Sequence, residues 1–173
     1  HPRKHEMVIA TKAAITRDPK NPVNNSEGHF RAELDGSLQR LGVDHVALYY
    51  AHRRDPAVPP EDLAGTLGKL IDEGKIGGYG LSEVAPYTLR RAHAERPCTA
   101  VQNEYSLWTR LPEMGLIQTT QELGVAMVPF SPLARGVLSH RFPVVADMVA
   151  PDLRMTLPRF SDQNYPRNKR AVE

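Results

Sequence analysis

The chain has 173 residues, of which 40% are hydrophobic, and this is enough for one soluble domain with a sizeable core but not for two. Its 22 basic and 20 acidic side chains are interspersed and leave a net charge of +2, which argues against the basic surface of a nucleic-acid-binding protein. Its one cysteine, Cys98, allows no internal disulfide, and no apolar run approaches the roughly 18 residues of a membrane span. We therefore expect a cytoplasmic protein with no nucleic-acid or membrane partner.

The first part of the chain predicts a strand, a helix and a second strand. An apolar, β-branched run over 7–11 predicts a strand that leads to Lys12. Apolar residues then recur at helical spacing before Gly42, which supplies a stop for the helix; they are Phe30, Leu34, Leu38 and Leu41. A second strand over 46–51 ends at His52. This order is typical of a βαβ unit with parallel strands.

The same order repeats along the rest of the chain. Three further helices are predicted over about 59–73, 86–94 and 113–123, and the strands that follow them are predicted over 79–82, 100–105 and 125–130. Gly74 and Gly124 mark the ends of two of these helices. Because prolines and glycines are frequent after the last strand, residues 131–167 are expected to form a long loop region.

The spacing of the predicted strands limits the architecture. The strands start about 30 residues apart, and eight such units would need about 236 residues, close to the roughly 250 of a (β/α)8 barrel. Five predicted strands cannot close such a barrel. Two α/β architectures fit: a doubly wound sheet of the flavodoxin type, or an incomplete (β/α)8 TIM barrel with about five of its eight units and 1–173 as one domain. The chain has no initiator methionine, which predicts that it is the middle of a longer protein.

Polar side chains stand at the carboxyl ends of the predicted strands, where both architectures place function. These residues are Lys12, His52, Ser82, Gln102 and Ser131. A lysine and a histidine on neighbouring strands can orient and polarise a carbonyl oxygen, and the lysine can help an acid to donate a proton. Ser82 and Gln102 carry short polar groups that can hydrogen-bond an amide.

The residues around the end of the last strand suit a planar ligand with an anionic group. Phe130 is either core filler or a surface on which a planar ring stacks. Residues 131–136 offer backbone N–H groups and the guanidinium of Arg135 as a cradle for pyrophosphate. No metal site is expected, because the histidine pair with suitable spacing, His1 and His5, lies at the terminus of the chain.

Six segments form an ordered set of motifs: in chain order they are 10–12, 37–42, 48–53, 74–82, 101–110 and 131–136. Together they resemble the aldo-keto reductase family. The similarity extends from about Met7 to Asn168, and 81–83 and 104–110 are most similar to the plant and bacterial branch that contains perakine-reductase-like enzymes. These ordered segments, with family-like spacing, favour the barrel over the open sheet.

The resemblance implies a (β/α)8 barrel that binds NADP(H) and reduces a small-molecule aldehyde or ketone. It implies that Lys12 and His52 are catalytic and that Trp108 shapes the substrate pocket. It assigns Ser82, Gln102 and Phe130 to the nicotinamide and Ser131, Leu133 and Arg135 to the pyrophosphate. The physiological substrate is not specified, and a homo-oligomer is compatible with the sequence.

Parts of the family pattern fall outside the chain. The family's catalytic tyrosine and aspartate lie upstream of the lysine motif, and the eleven residues before Lys12 include neither type. The loop with which the family binds the adenosine 2′-phosphate would follow Glu173. Within the chain, Glu83 stands where many members have asparagine beside the serine.

These departures leave an alternative open, a non-catalytic nucleotide-binding or regulatory subunit derived from the same fold. A third hypothesis is an aldolase that forms a Schiff base on Lys12. His52 and the amide-binding pair of Ser82 and Gln102 fit that chemistry poorly.

Overall fold

The computed structural model describes residues 6–172, so His1 and His5 lie outside the described residues. Five strands form one sheet: β1 Ala10–Ala13, β2 Leu48–Ala51, β3 Tyr79–Ser82, β4 Ala100–Glu104 and β5 Ala126–Phe130. They lie in chain order, and the pairs β1–β2, β2–β3 and β3–β4 are parallel. A doubly wound sheet of the flavodoxin type has the order 2-1-3-4-5. The doubly wound alternative is therefore wrong, and sequential parallel strands are the arrangement expected of part of a (β/α)8 barrel.

Helices connect the strands. They are α1 Glu27–Leu41, α2 Pro60–Asp72, α3 Pro86–Glu95 and α4 Leu116–Leu123. α1 begins where the Ser26 hydroxyl accepts a hydrogen bond from the His29 N–H at 3.3 Å, and it ends at Gly42, whose φ of 62° lies in the left-handed region. α2 packs against α3, and α3 packs against α4.

The core lies between the sheet and these helices. Tyr49 and Tyr79 are register neighbours on β2 and β3, and both are fully buried. The Tyr49 hydroxyl donates to the Phe30 carbonyl oxygen in α1 at 3.0 Å, and the Tyr79 hydroxyl donates to the Arg96 carbonyl oxygen after α3 at 2.8 Å. Because side chains alternate along a strand, the residues next to these tyrosines face the opposite side of the sheet.

The first strand differs from its prediction. β1 begins at Ala10 rather than at Met7, and the side chains of Met7 and Val8 are exposed. The paired register with β2 starts at Ala10 and Leu48, so the apolar residues farther upstream do not belong to the ladder. Lys12 consequently lies inside β1 and not after it.

The helix predicted over 113–123 also begins later, at Leu116. Gly115 has a φ of 112°, which interrupts regular helix, and Leu111–Glu113 form a separate 3-10 turn. The region predicted as loop over 131–167 contains short 3-10 turns, and a last helix, α5 Tyr165–Arg170, begins inside it with a proline in its first turn.

The described chain divides into two compact units. The first comprises the residues up to Asn103 together with Pro112–Val128, and the second comprises Glu104–Leu111 together with the residues from Pro129 onward. The second unit has its own buried cluster, formed by Ala134, Val137, Met148 and Phe160. The prediction of a single barrel domain over 1–173 stays a prediction. Among residues 6–172, every helix is too short or too polar to span a membrane.

Candidate active site

Lys12 lies in the first unit on the face of the sheet opposite to Tyr49. It pairs in register with Tyr50 on β2, and its Nζ lies 5.5 Å from the centre of the Tyr50 ring. Nζ also donates a hydrogen bond to Oε1 of Gln102 on β4. The fold thus brings Lys12 and Gln102 into contact across two intervening strands.

His52 directly follows β2, and its backbone N–H donates to the Ala13 carbonyl oxygen at 2.8 Å. Partial burial lowers the pKa of its imidazole from the ordinary 6.5, and the positive charges of Lys12 and Arg53 lower this pKa further. Partial loss of water and the charge of Arg53 also lower the pKa of Lys12. The imidazole of His52 is therefore neutral at pH 7, and one of its ring nitrogens donates while the other accepts.

The pKa of His52 is expected to rise when Lys12 is replaced by methionine, because the substitution removes a positive charge that disfavours the imidazolium form. An NMR titration of the His52 ring measures this shift. In the unsubstituted chain the midpoint should lie below 6.5. Lys20→Met, which removes an exposed lysine in the loop after β1, is the control and should leave the midpoint unchanged. A midpoint that stays fixed in Lys12→Met would contradict the coupling.

Ser82 is the last residue of β3, is buried, and pairs in register with Gln102. Its hydroxyl oxygen accepts a hydrogen bond from Nη1 of Arg53 at 3.2 Å, and the same nitrogen donates to the His52 carbonyl oxygen at 2.7 Å. Arg53 thus links the carboxyl ends of β2 and β3. The sequence did not single out Arg53, although its place directly after His52 is a signal that could have found it.

Asn25, which precedes α1, is a second residue that the sequence did not single out. The residue is 2% exposed, and both polar atoms of its side-chain amide are hydrogen-bonded. Nδ2 donates to the Arg53 carbonyl oxygen at 3.0 Å, and Oδ1 accepts from the Asp55 N–H at 2.7 Å. Asn25 therefore fixes the loop before α1 to the loop after β2. Its occurrence in an Asn-rich loop is typical of many turns and gave no specific signal.

Glu83 follows Ser82 and has a φ of 55°, which lies in the left-handed region. Its backbone N–H donates to the Gln102 carbonyl oxygen at 3.0 Å. Asparagine adopts this conformation more readily than glutamate does. This preference explains why many members of the family that the sequence resembles have asparagine where this chain has Glu83.

The second unit contains the residues assigned to the pyrophosphate and to the ring of a nucleotide. The guanidinium of Arg135 lies 5.5 Å from the centre of the Phe130 ring. Ser131 and Arg135 have φ values of 51° and 63°, and the side chain of Leu133 is exposed. Within residues 6–172, the buried Nε of Arg135 has no hydrogen-bond partner. An aromatic ring beside an arginine with a spare N–H suits a planar ring joined to an anionic group.

Trp108 also lies in the second unit and is half-buried. Its side chain packs against the buried cluster of that unit. Its backbone N–H donates to the Ser106 hydroxyl oxygen at 3.1 Å, which fixes the turn. The role of Trp108 in a substrate pocket stays a prediction.

Each of the two units contains some of the predicted site residues. The first unit contains Lys12, His52, Ser82 and Gln102, and the second contains Trp108, Phe130, Ser131, Leu133 and Arg135. In the described part of the chain, no group of three or more His, Cys, Asp or Glu side chains could hold a metal ion. An ammonium group beside a neutral imidazole suits the polarisation of a carbonyl oxygen.

Comparisons with known proteins give a consistent result. The family model described as Aldo/keto reductase family matches residues 1–172. A probable aldo-keto reductase of Glycine max is 41% identical over 172 residues, which are 98% of this chain and 49% of that protein. The glycerol dehydrogenase of Gluconobacter oxydans superposes with a TM-score of 0.80 at 25% identity, covering 94% of this chain and 52% of that one.

A second similar structure is an aldo/keto reductase of Klebsiella pneumoniae, solved in complex with NADP and acetate. It superposes with a TM-score of 0.66 at 23% identity and covers 79% of this chain and 47% of its own, so it supports the fold alone. The chain spans about half the length of the relatives that it matches.

Proposed function

Because the chain belongs to the aldo/keto reductase family, we propose that it forms part of an oxidoreductase that reduces a small aldehyde or ketone to an alcohol with NADPH. The observation that carries this proposal is the contact of the Lys12 ammonium group with the Gln102 amide, together with the effect of Lys12 on the pKa of His52. A positive charge near a neutral imidazole suits a carbonyl oxygen on which negative charge develops.

The first unit has hydrogen-bonding groups that fit the carboxamide of a nicotinamide. Oε1 of Gln102 accepts from Lys12, which leaves the amide hydrogens of Gln102 to donate to a ligand. The Ser82 oxygen accepts from Arg53, which leaves the Ser82 O–H to donate. In the proposal, these two donors hold the carboxamide oxygen.

The second unit, taken by itself, offers groups that suit the ring and the pyrophosphate of a nicotinamide cofactor. The Phe130 ring offers a stacking surface, and the spare Nε–H of Arg135 is a donor for the pyrophosphate. Ser131 and Leu133 belong to the same loop and are assigned to the pyrophosphate with Arg135. When bound, NADPH would supply the hydride.

The protein side chains have distinct roles in the proposed reaction. His52 donates a hydrogen bond from its neutral ring to the carbonyl oxygen of the substrate and so orients it. The ammonium group of Lys12 lowers the pKa of the acid that protonates this oxygen. Trp108 bounds the substrate pocket in this proposal.

Binding of NADPH tests the cofactor assignment. We expect Ser82→Ala and Gln102→Ala each to raise the Kd for NADPH about two- to tenfold, the cost of one lost hydrogen bond. Isothermal titration calorimetry measures the Kd, and titration with NADH in parallel tests the preference between the two cofactors. Gln118→Ala, on the exposed surface of α4, is the matched control for Gln102→Ala. Absence of NADPH binding, or an equal effect of the control, would argue against the assignment.

A second candidate is a subunit that binds a nucleotide without turnover. In either candidate Tyr50, whose ring contacts Lys12, is a poor proton donor, because burial raises the pKa of its hydroxyl. The two candidates differ in the oxidation of NADPH by the full-length protein. Oxidation with any of a panel of aldehydes and ketones would support the enzyme, and binding without oxidation would support the subunit.

A cytoplasmic location is part of the proposal. Cys98 is a free, buried cysteine, and burial raises the pKa of its thiol to about 12. Unpaired, unreactive cysteines are typical of proteins in reducing compartments.

A further inference from the structure

In the second unit, one carboxylate contacts two arginines. Glu104, at the end of β4, has a side chain that is 16% exposed. Its Oε1 lies 2.8 Å from Nη2 of Arg159, and its Oε2 lies 3.6 Å from Nη2 of Arg135. One negative charge therefore faces two positive charges, and the three side chains together carry a net charge of +1.

Arg159 is hydrogen-bonded to the Glu104 carboxylate through Nη2, while its Nη1 is buried and has no hydrogen-bond partner within residues 6–172. Its backbone carbonyl oxygen accepts a hydrogen bond from Nδ2 of Asn168 in α5 at 2.8 Å, and the next residue, Phe160, is buried. Thr109 donates to the same carboxylate oxygen of Glu104 at 3.0 Å. Burial would raise the pKa of Glu104, but the hydrogen bonds and charges of these partners hold it below its usual value. Glu104 is thus an ionised group that Arg159 and Thr109 fix from one side.

Arg135 contacts the same carboxylate without a hydrogen bond. At 3.6 Å, its Nη2 is beyond hydrogen-bond distance of Glu104, and its guanidinium lies beside the Phe130 ring. Its Nε is buried and has no hydrogen-bond partner within residues 6–172. A buried guanidinium N–H without an acceptor is costly, and an anionic ligand would remove that cost.

We infer that Arg159 is a positioning residue: it holds Glu104 away from Arg135 and so leaves the Arg135 guanidinium available to a diphosphate anion. The inference rests on the proposed function, in which Arg135 contacts the pyrophosphate of the cofactor. Arg159 touches neither substrate nor cofactor in this arrangement and acts through Glu104.

The inference has a direct physical consequence. Without Arg159, the ionised Glu104 would face Arg135 with no competing charge from Arg159, and a bidentate pair between Glu104 and Arg135 would form. That pair would use the donors of Arg135 and would place a negative charge where the anion binds. Removal of the charge of Glu104 should then restore the site.

The test uses inorganic pyrophosphate as the probe and isothermal titration calorimetry of the whole chain. Arg159→Gln is expected to weaken pyrophosphate binding about tenfold, the cost of one charge-assisted interaction. The double variant Glu104→Gln with Arg159→Gln is expected to return the Kd to near that of the unsubstituted chain. Arg154→Gln is the matched control, because Arg154 lies in the same unit and pairs with Asp152 instead.

Each outcome has a defined meaning. Loss of binding in Arg159→Gln with rescue in the double variant supports the inference. A double variant that binds as weakly as Arg159→Gln would mean that Arg159 contacts the anion itself or only supports the fold, and the inference would be overturned. An equal loss in Arg154→Gln, or no pyrophosphate binding by the unsubstituted chain, would also overturn it. Pyrophosphate binding without NADPH binding would instead contradict the proposed cofactor.

Discussion

Replacement of Lys12 by methionine is expected to lower kcat for NADPH-dependent carbonyl reduction by the full-length protein about 10²- to 10⁴-fold, the usual contribution of assisted proton transfer. Methionine keeps most of the side-chain volume but removes the charge that, in the proposed mechanism, lowers the pKa of the proton donor. Steady-state kinetics with a reducible aldehyde measure the effect. KM for the aldehyde should change less than kcat, because the charge acts mainly on the transition state.

Two further variants separate chemistry from structure. Lys12 donates to Gln102, so the NADPH affinity of Lys12→Met is measured separately to isolate the loss of this contact. Lys12→Arg keeps the charge but changes its shape, and it should retain more activity than Lys12→Met. Lys20→Met controls for loss of a lysine charge. An unchanged kcat in Lys12→Met would remove Lys12 from the catalytic residues.

Replacement of Gly80 by alanine is expected to destabilise the fold by about 1–3 kcal/mol, the usual cost of overpacking. Gly80 is the register neighbour of Tyr50 in the sheet. A Cβ at this position would lie 2.5 Å from Cδ1 of the Tyr50 ring and 3.0 Å from the Ala100 carbonyl oxygen. Because the backbone oxygen is fixed by the sheet, the Tyr50 ring, which also contacts Lys12, must move to make room. The free energy of unfolding from urea denaturation measures the effect.

Gly28→Ala is the matched control for this prediction. Gly28 lies in the first turn of α1, and a Cβ there would meet no heavy atom within 4 Å. Alanine is favoured over glycine in helices by up to about 1 kcal/mol, so this variant should be neutral or more stable. If Gly80→Ala unfolded at the same urea concentration as the unsubstituted chain, the close packing of Tyr50 on β3 would be contradicted.

The limits of β3 could be predicted from the sequence, because turn residues flank it. The start of β1 could not, because it depends on pairing with β2. β3 occupies 79–82 as predicted, because glycines precede it and a proline-led helix follows it. The predicted first strand began three residues before β1 does, because apolar character alone does not tell where the ladder with β2 begins. The strand pattern alone left the barrel and the doubly wound sheet open, and the resemblance favoured the barrel. The strand order, which no local pattern contains, excludes the doubly wound sheet.

The positions of the candidate residues along the strands were predictable from the sequence, but the contacts between their side chains were not. Polar residues at strand ends indicated Lys12, His52 and Ser82, because period and spacing place strand ends at one edge of a sheet. The contact between Lys12 and Gln102 depends on the register of four strands and on the conformation of a long side chain. Arg53 and Arg159 were not predicted as site residues. Their contacts also depend on the conformation of long side chains, which extend from a loop and from a 3-10 turn.

The anchoring of the loop before α1 by Asn25 has a consequence for protein engineering. An isolated antiparallel bridge joins Ile15 to Val23, and the Thr16 N–H donates to the Pro22 carbonyl oxygen at 3.0 Å. The tip of the loop, residues 17–21, is exposed. The bridge and the hydrogen bond lie between this tip and the segment that Asn25 fixes. Loop closure entropy grows slowly with length, so this tip is suited to the insertion of an affinity tag or a fluorescent label. A graft at 24–26 would instead break the attachment to Arg53 and Asp55.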